Sequence, residues 1–249
     1  MISKNMLTDL FTFKKHLARL VGHKQCYLCH QTSQELVCHY CMRDAVLPLF
    51  PSPGHNLLEY KKVSEHLLRP HYENLQALGT YDGILIGLIN QLKFANKPIA
   101  ADVLTKLFTQ YLAQRLIFFN VIPEAFVPIP LSNFRYVKRQ YNQSRLLAKN
   151  LADYFSCDCA DLLERVKHTK QQSQLNQEQR KSNLADAFIV RRNFPYKRVV
   201  LVDDVITTGA TINEACKILR QHKPELSIGV WVMAVTLSSE EIATEEISP

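Results

Sequence analysis

The fold is decided by the stretch Val199-Val-Leu-Val-Asp-Asp-Val-Ile-Thr-Thr-Gly-Ala-Thr211. Its first four residues are apolar and mostly β-branched, which is typical of a strand covered on both faces in a parallel sheet. We predict a loop over residues 203–209 and a helix over 211–221. A second apolar run at 226–235 completes a strand–helix–strand unit, and this order indicates an α/β domain.

The turn after this strand has the composition of a phosphate-binding loop. The first amide groups of a helix have no partners within the helix, and together with the helix dipole they favour an anion. Glycine lets the backbone approach a ligand closely, while the threonines add hydroxyl donors. The residues predicted to bind a phosphate are Thr207, Thr208, Gly209, Ala210 and Thr211.

A strand that ends in two aspartates, here Asp203 and Asp204, also resembles the Walker B element of ATPases. That interpretation requires a loop of the form G-x-x-x-x-G-K-[ST] elsewhere in the chain. The chain has 7 glycines, and none of them is followed by lysine. The sequence therefore excludes a P-loop ATPase.

The remaining segments extend the α/β pattern. Helical apolar spacing occurs over 84–92, 103–116 and 144–155, and a short apolar strand over 126–130. We therefore predict a parallel sheet flanked by helices. The predicted organisation is an N-terminal helix at 1–22, a cysteine module at 23–45, a connector at 46–79, the α/β domain at 80–237 and an acidic tail at 238–249.

Four of the 7 cysteines form two C-x-x-C pairs, Cys26 with Cys29 and Cys38 with Cys41. Four thiolates this close in sequence can hold one tetrahedral Zn²⁺, and so small a module would draw much of its folding free energy from the ion. The histidines that adjoin the pairs could each replace a cysteine, although the repeated spacing favours four sulfur ligands. We predict a structural zinc knuckle with four cysteine ligands.

A loop rich in cations and aromatic rings follows the strand at 126–130. No acidic residue occurs between Ala125 and Ala152. Cations that neutralise phosphates and rings that stack on bases suit single-stranded nucleic acid, and an ordinary solvated loop is the alternative. The residues assigned here to an anion or to DNA are Arg135, Tyr136, Lys138, Arg139 and Tyr141.

The chain of 249 residues carries 30 basic and 23 acidic residues, which gives a net charge of +7. Residues 1–160 hold 18 of the basic and 11 of the acidic ones, so the whole excess lies there and favours an anionic partner. No apolar run reaches the ~18 residues that a membrane span requires. The first residues also lack the pattern of a secretory signal. We expect a cytoplasmic protein.

Residues 199–211 match the 5-phosphoribosyl-1-pyrophosphate (PRPP) motif of type I phosphoribosyltransferases. Further motifs narrow this resemblance. They are Val127-Pro-Ile-Pro-Leu-Ser132, Arg139-Gln-Tyr-Asn-Gln143 and the series Arg165, Thr169, Gln172, Leu175, Arg180, Asn183 and Phe188. With the cysteine module, these motifs are typical of the ComF family, which is linked to natural competence and resembles amidophosphoribosyltransferases. The family usually has glycine where Gln140 stands.

The resemblance implies roles for several of these residues. Asp203 and Asp204 would bind the ribose hydroxyls of PRPP with its Mg²⁺, and residues 207–211 would bind the 5-phosphate. The cationic loop would bind pyrophosphate or DNA, and the polar segment at 167–181 could close over a ligand as a lid. Zn²⁺ would be the structural metal, and Mg²⁺ would accompany PRPP.

Two functional classes stay open at this point. In the first, the resemblance implies a competence protein that handles incoming single-stranded DNA. It would work with other cytosolic competence proteins, at the inner face of the membrane beside the DNA-uptake machinery. In the second, the protein is an active phosphoribosyltransferase with PRPP as donor and an unknown acceptor. The two classes are compatible, and we expect a competence role with a PRPP-binding site.

Overall fold

The computed structural model describes residues 25–46, 56–68, 70–113, 123–131, 136–137, 139–166 and 187–237. The chain forms two compact units, residues 1–47 and 48–249. Several predictions fall outside the described residues. They are the N-terminal helix at 1–22, the lid segment at 167–181, the acidic tail at 238–249, and the side chains of Arg135 and Lys138. Within the described ranges, no helix combines the length and apolar character needed to cross a bilayer.

In the first unit, the described residues form the cysteine module. Two backbone hydrogen bonds fold it back on itself, from Cys26 to the Gln31 carbonyl at 2.7 Å and from Tyr27 to the Leu36 carbonyl at 2.8 Å. Helix α1 (His39–Val46) follows. Few of the described apolar side chains of the cysteine module are buried, Cys26 and Val37 among them. This module therefore has little apolar core of its own, as expected where a metal ion supplies the stability.

The second unit is built on a parallel sheet. The strands, in chain order, are β1 (Asn74–Thr80), β2 (Ala125–Pro128), β3 (Asp158–Cys159), β4 (Leu163–Arg165), β5 (Phe188–Val190), β6 (Arg198–Ile206) and β7 (Ser227–Val235). Five of them form the sheet in the order β1-β7-β6-β2-β3, and every pair in it is parallel. Strands β4 and β5 form a separate antiparallel pair.

Helices flank this sheet, which confirms the predicted fold class. They are α2 (Lys61–His66), α3 (Gly83–Phe94), α4 (Ile99–Ala113), α5 (Gln143–Phe155) and α6 (Ala210–His222), and a 3₁₀ turn covers Leu57–Glu59. Helices α4 and α5 pack on each other, α4 contacts β1, and α5 contacts both β2 and β6. A cluster of aromatic rings joins these layers, because Phe108, Phe126 and Phe155 all surround Trp231 at centroid distances of 5.1–5.7 Å.

Strand β6 is central, and it is longer than predicted. Its residues 199–202 are buried because β7 and β2 pair with it on either side. The strand continues to Ile206, although the sequence predicts a loop from residue 203. Asp203, Val205 and Ile206 still pair with β7, so the ladder keeps the backbone extended to that point. This correction places both aspartates on the end of a strand.

The sheet also begins earlier than the sequence indicates. All of strand β1 except Thr80 lies inside the predicted connector at 46–79. Its apolar pattern is interrupted by Gln76 and Gly79, yet β1 is almost wholly buried and pairs with β7 from Asn74 to Thr80. Burial of Gln76 is therefore a property of the sheet and not of the local sequence.

Candidate functional site

A pocket of about 320 Å³ opens at the carboxyl ends of the parallel strands. From β2 the chain runs outward to β3, and it later returns to β6 and continues to β7 in the opposite direction. The point between β2 and β6 is thus the topological switch point, where open α/β sheets bind ligands. Four strand ends contribute to the lining through Tyr81, Ile129, Asp203 and Thr236.

Two adjacent carboxylates form the acidic part of this pocket. Ser144 donates its hydroxyl to Asp203 Oδ1 at 2.8 Å, and the Asp204 amide donates to the same oxygen at 2.9 Å. The Lys93 ammonium group lies 2.9 Å from Asp204 Oδ1. Burial, and then the charge of Asp204, raise the pKa of Asp203 to about 6. Ionising Asp203 at neutral pH therefore costs free energy, and the carboxyl oxygens of both residues offer acceptors to hydroxyl donors of a ligand.

The predicted phosphate loop joins β6 to α6, and all of its residues line the pocket. Gly209 is the N-cap of the 13-residue helix α6 and has a φ of 75°, which glycine adopts without a steric cost. The loop is held from behind, since the Leu68 amide donates to the Thr208 carbonyl at 3.0 Å and the Asn213 side chain donates to the Leu68 carbonyl. The start of α6, where the helix dipole favours an anion, thus lies at a pocket wall that these bonds fix in place.

The described members of the predicted basic loop have different surroundings in the structure. Arg139 lines the pocket, and its Nη1 donates to Gln143 Oε1 at 3.1 Å. Tyr141 is half-buried and donates its hydroxyl to the Leu92 carbonyl at 2.7 Å, so it ties the loop to the end of α3. Tyr136 keeps 53% of its surface exposed. Gln140 has a φ of 63°, in the left-handed region that the glycine of the family pattern would favour.

Helix α5 begins at the pocket because Asn142 caps it. The Asn142 side chain accepts from the Ser144 amide and donates to the Ile129 carbonyl, both at 3.0 Å. These two bonds fix the helix start against the end of β2. They also place the Ser144 hydroxyl beside Asp203.

Two further cations reach this pocket without a role assigned from the sequence. Lys93 follows an apolar stretch of α3, and Arg165 ends the short strand β4. The Arg165 side chain is almost buried, and its guanidinium lies 5.5 Å from the Phe188 ring centroid. The available signal for Arg165 was its place in the motif series at 165–188. With Arg139, three cations and two carboxylates line the pocket, which suits a ligand that carries phosphate groups.

In the first unit, the four predicted cysteines come together. The sulfur atoms of Cys26, Cys29, Cys38 and Cys41 all lie within 4.8 Å of one another, and no histidine belongs to this group. The Cys29 and Cys38 sulfurs are 3.8 Å apart. A Zn–S bond of about 2.3 Å places two ligands of a tetrahedron about 3.8 Å apart. This cluster can therefore hold a metal ion, and its spacing suits zinc.

The thiols of this cluster differ in acidity. Burial raises the pKa of Cys26, but backbone amides of Cys29, Cys38 and Leu28 outweigh it and lower that pKa to about 6. Burial and hydrogen bonds with the neighbouring thiols raise the pKa of Cys41. Four thiolates at these distances would need a cation among them, and a bound metal would supply it.

Comparison with known proteins adds to this geometry. Residues 142–244 match the family model described as phosphoribosyl transferase domain. Competence protein F of Haemophilus influenzae is 36% identical over 80% of this chain and 90% of its own length. DNA utilization protein YhgH of Escherichia coli (strain K12) is 31% identical over 68% of this chain and 74% of its own length. Competence protein ComFC of Streptococcus pneumoniae is 30% identical over 59% of this chain and 61% of its own length.

The chain belongs to the ComF family. The resemblance seen in its motifs is thereby confirmed, as is the phosphoribosyltransferase domain. Within this ComF-family chain, the matched range takes in Ser144, Arg165, both aspartates and the phosphate loop. Lys93, Arg139 and the cysteine cluster lie before it.

Proposed function

We propose that this chain is a competence protein that binds PRPP in the pocket at the end of β6 and handles incoming single-stranded DNA. One observation carries the proposal. A single pocket holds the two aspartates, the start of α6 and three cations. The names of the relatives, Competence protein F and DNA utilization protein YhgH, support the competence role and the link to DNA.

PRPP has the groups that this pocket can bind. Its ribose hydroxyls would donate to the carboxylates of Asp203 and Asp204, and its 5-phosphate would accept from the amides and hydroxyls of residues 207–211. Arg139 and Arg165 would bind the pyrophosphate group. Carboxylate oxygens are ligands that Mg²⁺ accepts, and the ion would neutralise part of the pyrophosphate charge when PRPP is bound.

Single-stranded DNA would follow the cationic loop at 131–141. We assign its phosphates to Arg135, Lys138 and Arg139, and its bases to the exposed ring of Tyr136 and the neighbouring Tyr141. Such contacts make binding salt-dependent, with a log–log slope of about −0.7 for each phosphate neutralised. The protein would act in the cytoplasm at the inner face of the membrane, together with other competence proteins.

A second candidate function is an active phosphoribosyltransferase. The cations at the pocket favour it, because positive charge placed where a leaving pyrophosphate develops its charge would lower the barrier to transfer. The acceptor would attack the anomeric carbon of the ribose as the bond to pyrophosphate breaks. This candidate differs from the first in requiring turnover.

The deciding experiment is a calorimetric titration of the full-length protein with PRPP, with and without Mg²⁺, followed by an assay for pyrophosphate release. Asp203→Asn and Asp204→Asn should each weaken PRPP binding about ten- to a hundredfold, since each removes a charge-assisted hydrogen bond worth about 1.5–3 kcal/mol. Asp161→Asn, which alters a surface acid paired with Arg145, is the matched control. Equal PRPP affinity in all variants would contradict the PRPP site.

The same variants separate the two candidate functions in a transformation assay. Loss of transformation with DNA affinity intact would give the PRPP site a role of its own, as a ligand sensor or a catalyst. Pyrophosphate release in the presence of an acceptor would establish the transferase. Unchanged transformation in both aspartate variants would mean that the competence role depends on DNA binding and does not require the PRPP pocket.

A further inference from the structure

Phe94 has an aromatic ring that is largely exposed to solvent. It is the last residue of α3, and 70% of its surface is exposed. The guanidinium carbon of Arg139 lies 5.4 Å from its ring centroid. An Arg side chain over an aromatic ring is a cation–π contact. The same Arg139 lines the pocket, so Phe94 stands beside the pocket opening.

The backbone that carries Phe94 is held in place by contacts of the two residues before it. The Leu92 carbonyl accepts from the Tyr141 hydroxyl at 2.7 Å and from Gln143 Nε2 at 3.4 Å. Lys93, between Leu92 and Phe94, is held by its ion pair with Asp204. At the end of α3, Leu92 and Lys93 are therefore held by hydrogen bonds and an ion pair, and Phe94 contacts Arg139. A ring presented in this way loses little conformational entropy when a ligand stacks on it.

The charge around Phe94 is positive. No acidic residue occurs between Gly83 and Ala101, and none between Ala125 and Ala152. Two cations of these stretches are paired with acids outside them. Arg145 lies 3.0 Å from Asp161, and Lys149 lies 3.3 Å from Asp153. Lys97 is exposed three residues after Phe94, and the guanidinium of Arg139 lies over the Phe94 ring. An aromatic ring with cations beside it suits a ligand with π faces and negative charge.

We propose that Phe94 is the platform on which a base of single-stranded DNA stacks at the pocket opening. This inference rests on the DNA-binding part of the proposed function and names its stacking residue. Besides the stacking role proposed above, Tyr141 has a positioning role, because its hydroxyl holds the end of α3 that carries Phe94. Duplex DNA is not the ligand, since its bases are covered by their stacked neighbours.

The test measures binding of a labelled 20-nucleotide oligo(dT) at low salt by the full-length protein. Phe94→Ala should weaken binding about 5- to 100-fold, which corresponds to the ~1–3 kcal/mol of a base–aromatic stack. The slope of affinity against salt should stay the same, because no charge is removed. Tyr154→Ala is the matched control, since Tyr154 is also exposed and lies eleven residues after the start of α5.

A tryptophan at this position gives a second readout. The chain has 1 Trp, and Trp231 is 4% exposed in the core. In Phe94→Trp, the new indole fluorescence should fall as oligo(dT) is added, while affinity is kept. Tyr154→Trp should show no such change.

The outcomes distinguish this inference from the function it rests on. If the wild type binds oligo(dT) and Phe94→Ala binds it equally well, the inference is wrong and DNA binding stands, with Phe94 left as a surface for another partner. If the wild type binds no oligo(dT), both the stacking role of Phe94 and the DNA-binding part of the proposed function are wrong. Phe94→Ala should lose less PRPP affinity than oligo(dT) affinity, because Arg139 keeps its hydrogen bond with Gln143. A larger loss of PRPP affinity would mean that Phe94 supports the pocket and not a DNA surface.

Discussion

The ammonium nitrogen of Lys93 lies 2.9 Å from a carboxylate oxygen of Asp204, and both side chains are largely buried. Lys93 comes from the end of α3 and Asp204 from the end of β6, so one ion pair joins two elements of the site. The positive charge of Lys93 also offsets the repulsion between the adjacent carboxylates of Asp203 and Asp204. A ligand that binds Asp204 must share this carboxylate with Lys93 or displace it.

Replacing Lys93 should therefore destabilise the second unit. In Lys93→Gln, Asp204 stays buried without this ion pair, and we expect a loss of about 1–3 kcal/mol in the free energy of unfolding. Urea unfolding followed by Trp231 fluorescence measures it. Lys97→Gln, at an exposed position of the next loop, should change stability by less than about 0.5 kcal/mol.

A double-mutant cycle checks the cause of this effect. If the ion pair is responsible, adding Asp204→Asn to Lys93→Gln should restore part of the lost stability. A double variant that loses the sum of both single effects would contradict the coupling of Lys93 with Asp204.

The stability of the unliganded protein should depend on pH through Asp203. Its pKa is raised from 3.8 to about 6 by burial and by the charge of Asp204. The folded protein holds this proton more tightly than the unfolded chain. The contribution of Asp203 to the free energy of unfolding is therefore complete below pH ~4 and is lost as the pH rises through about 6. The difference corresponds to about 3 kcal/mol.

Asp203→Asn tests this pH dependence in buffer without Mg²⁺ or phosphate. The variant should match the wild type at pH 4 and exceed its free energy of unfolding by up to about 3 kcal/mol at pH 8. Equal stability of the two proteins at pH 8 would contradict the raised pKa. A gain in stability together with a loss of PRPP binding would be typical of a site residue.

Gly209 should resist substitution because of its backbone and not for lack of space. A Cβ there would meet Leu67, Ile206 and Tyr72 at 3.5–3.8 Å, which is ordinary contact, but its φ of 75° strains any other residue. We expect Gly209→Ala to cost about 1–2 kcal/mol of stability and to weaken PRPP binding as the amides of 207–211 move. Calorimetry and urea unfolding measure the two effects.

Gly83 provides the matched control for this prediction. Its φ is 44° and a Cβ there would meet nothing within 4 Å, so Gly83→Ala carries backbone strain outside the phosphate loop. That variant should lose stability and keep its PRPP affinity. Equal loss of PRPP affinity in both variants would show that the strain at Gly209 has no specific effect on the loop.

The parts of the site that the sequence predicts are those encoded within short segments. Residues 199–211 carry the strand, the aspartates and the phosphate loop together, and two C-x-x-C pairs within sixteen residues bring four sulfurs together by local turns. Local hydrogen bonding and strand pairing suffice to place these groups. In these segments the structure brings together the residues that the sequence groups, although β6 runs on to Ile206.

The remaining groups depend on contacts between distant segments. Lys93 reaches Asp204 because Tyr141, 49 residues after Leu92, anchors the end of α3. Arg165 reaches the pocket through the β4–β5 pair, whose strands are separated by more than twenty residues. No periodicity or spacing encodes such contacts, since they arise only when the sheet and its helices pack.

Removal of a cysteine from the cluster should remove the metal. Elemental analysis of full-length protein purified without chelator should find about one zinc per chain, because four sulfurs within 4.8 Å form a complete tetrahedral ligand set. Cys26→Ser should bring the zinc content close to zero and lower solubility, since binding and folding of so small a module are coupled. Cys157→Ser, a free thiol outside the cluster, should keep the full equivalent. Folded wild-type protein without zinc, or a Cys26→Ser variant that retains it, would show that the cluster is not the metal site.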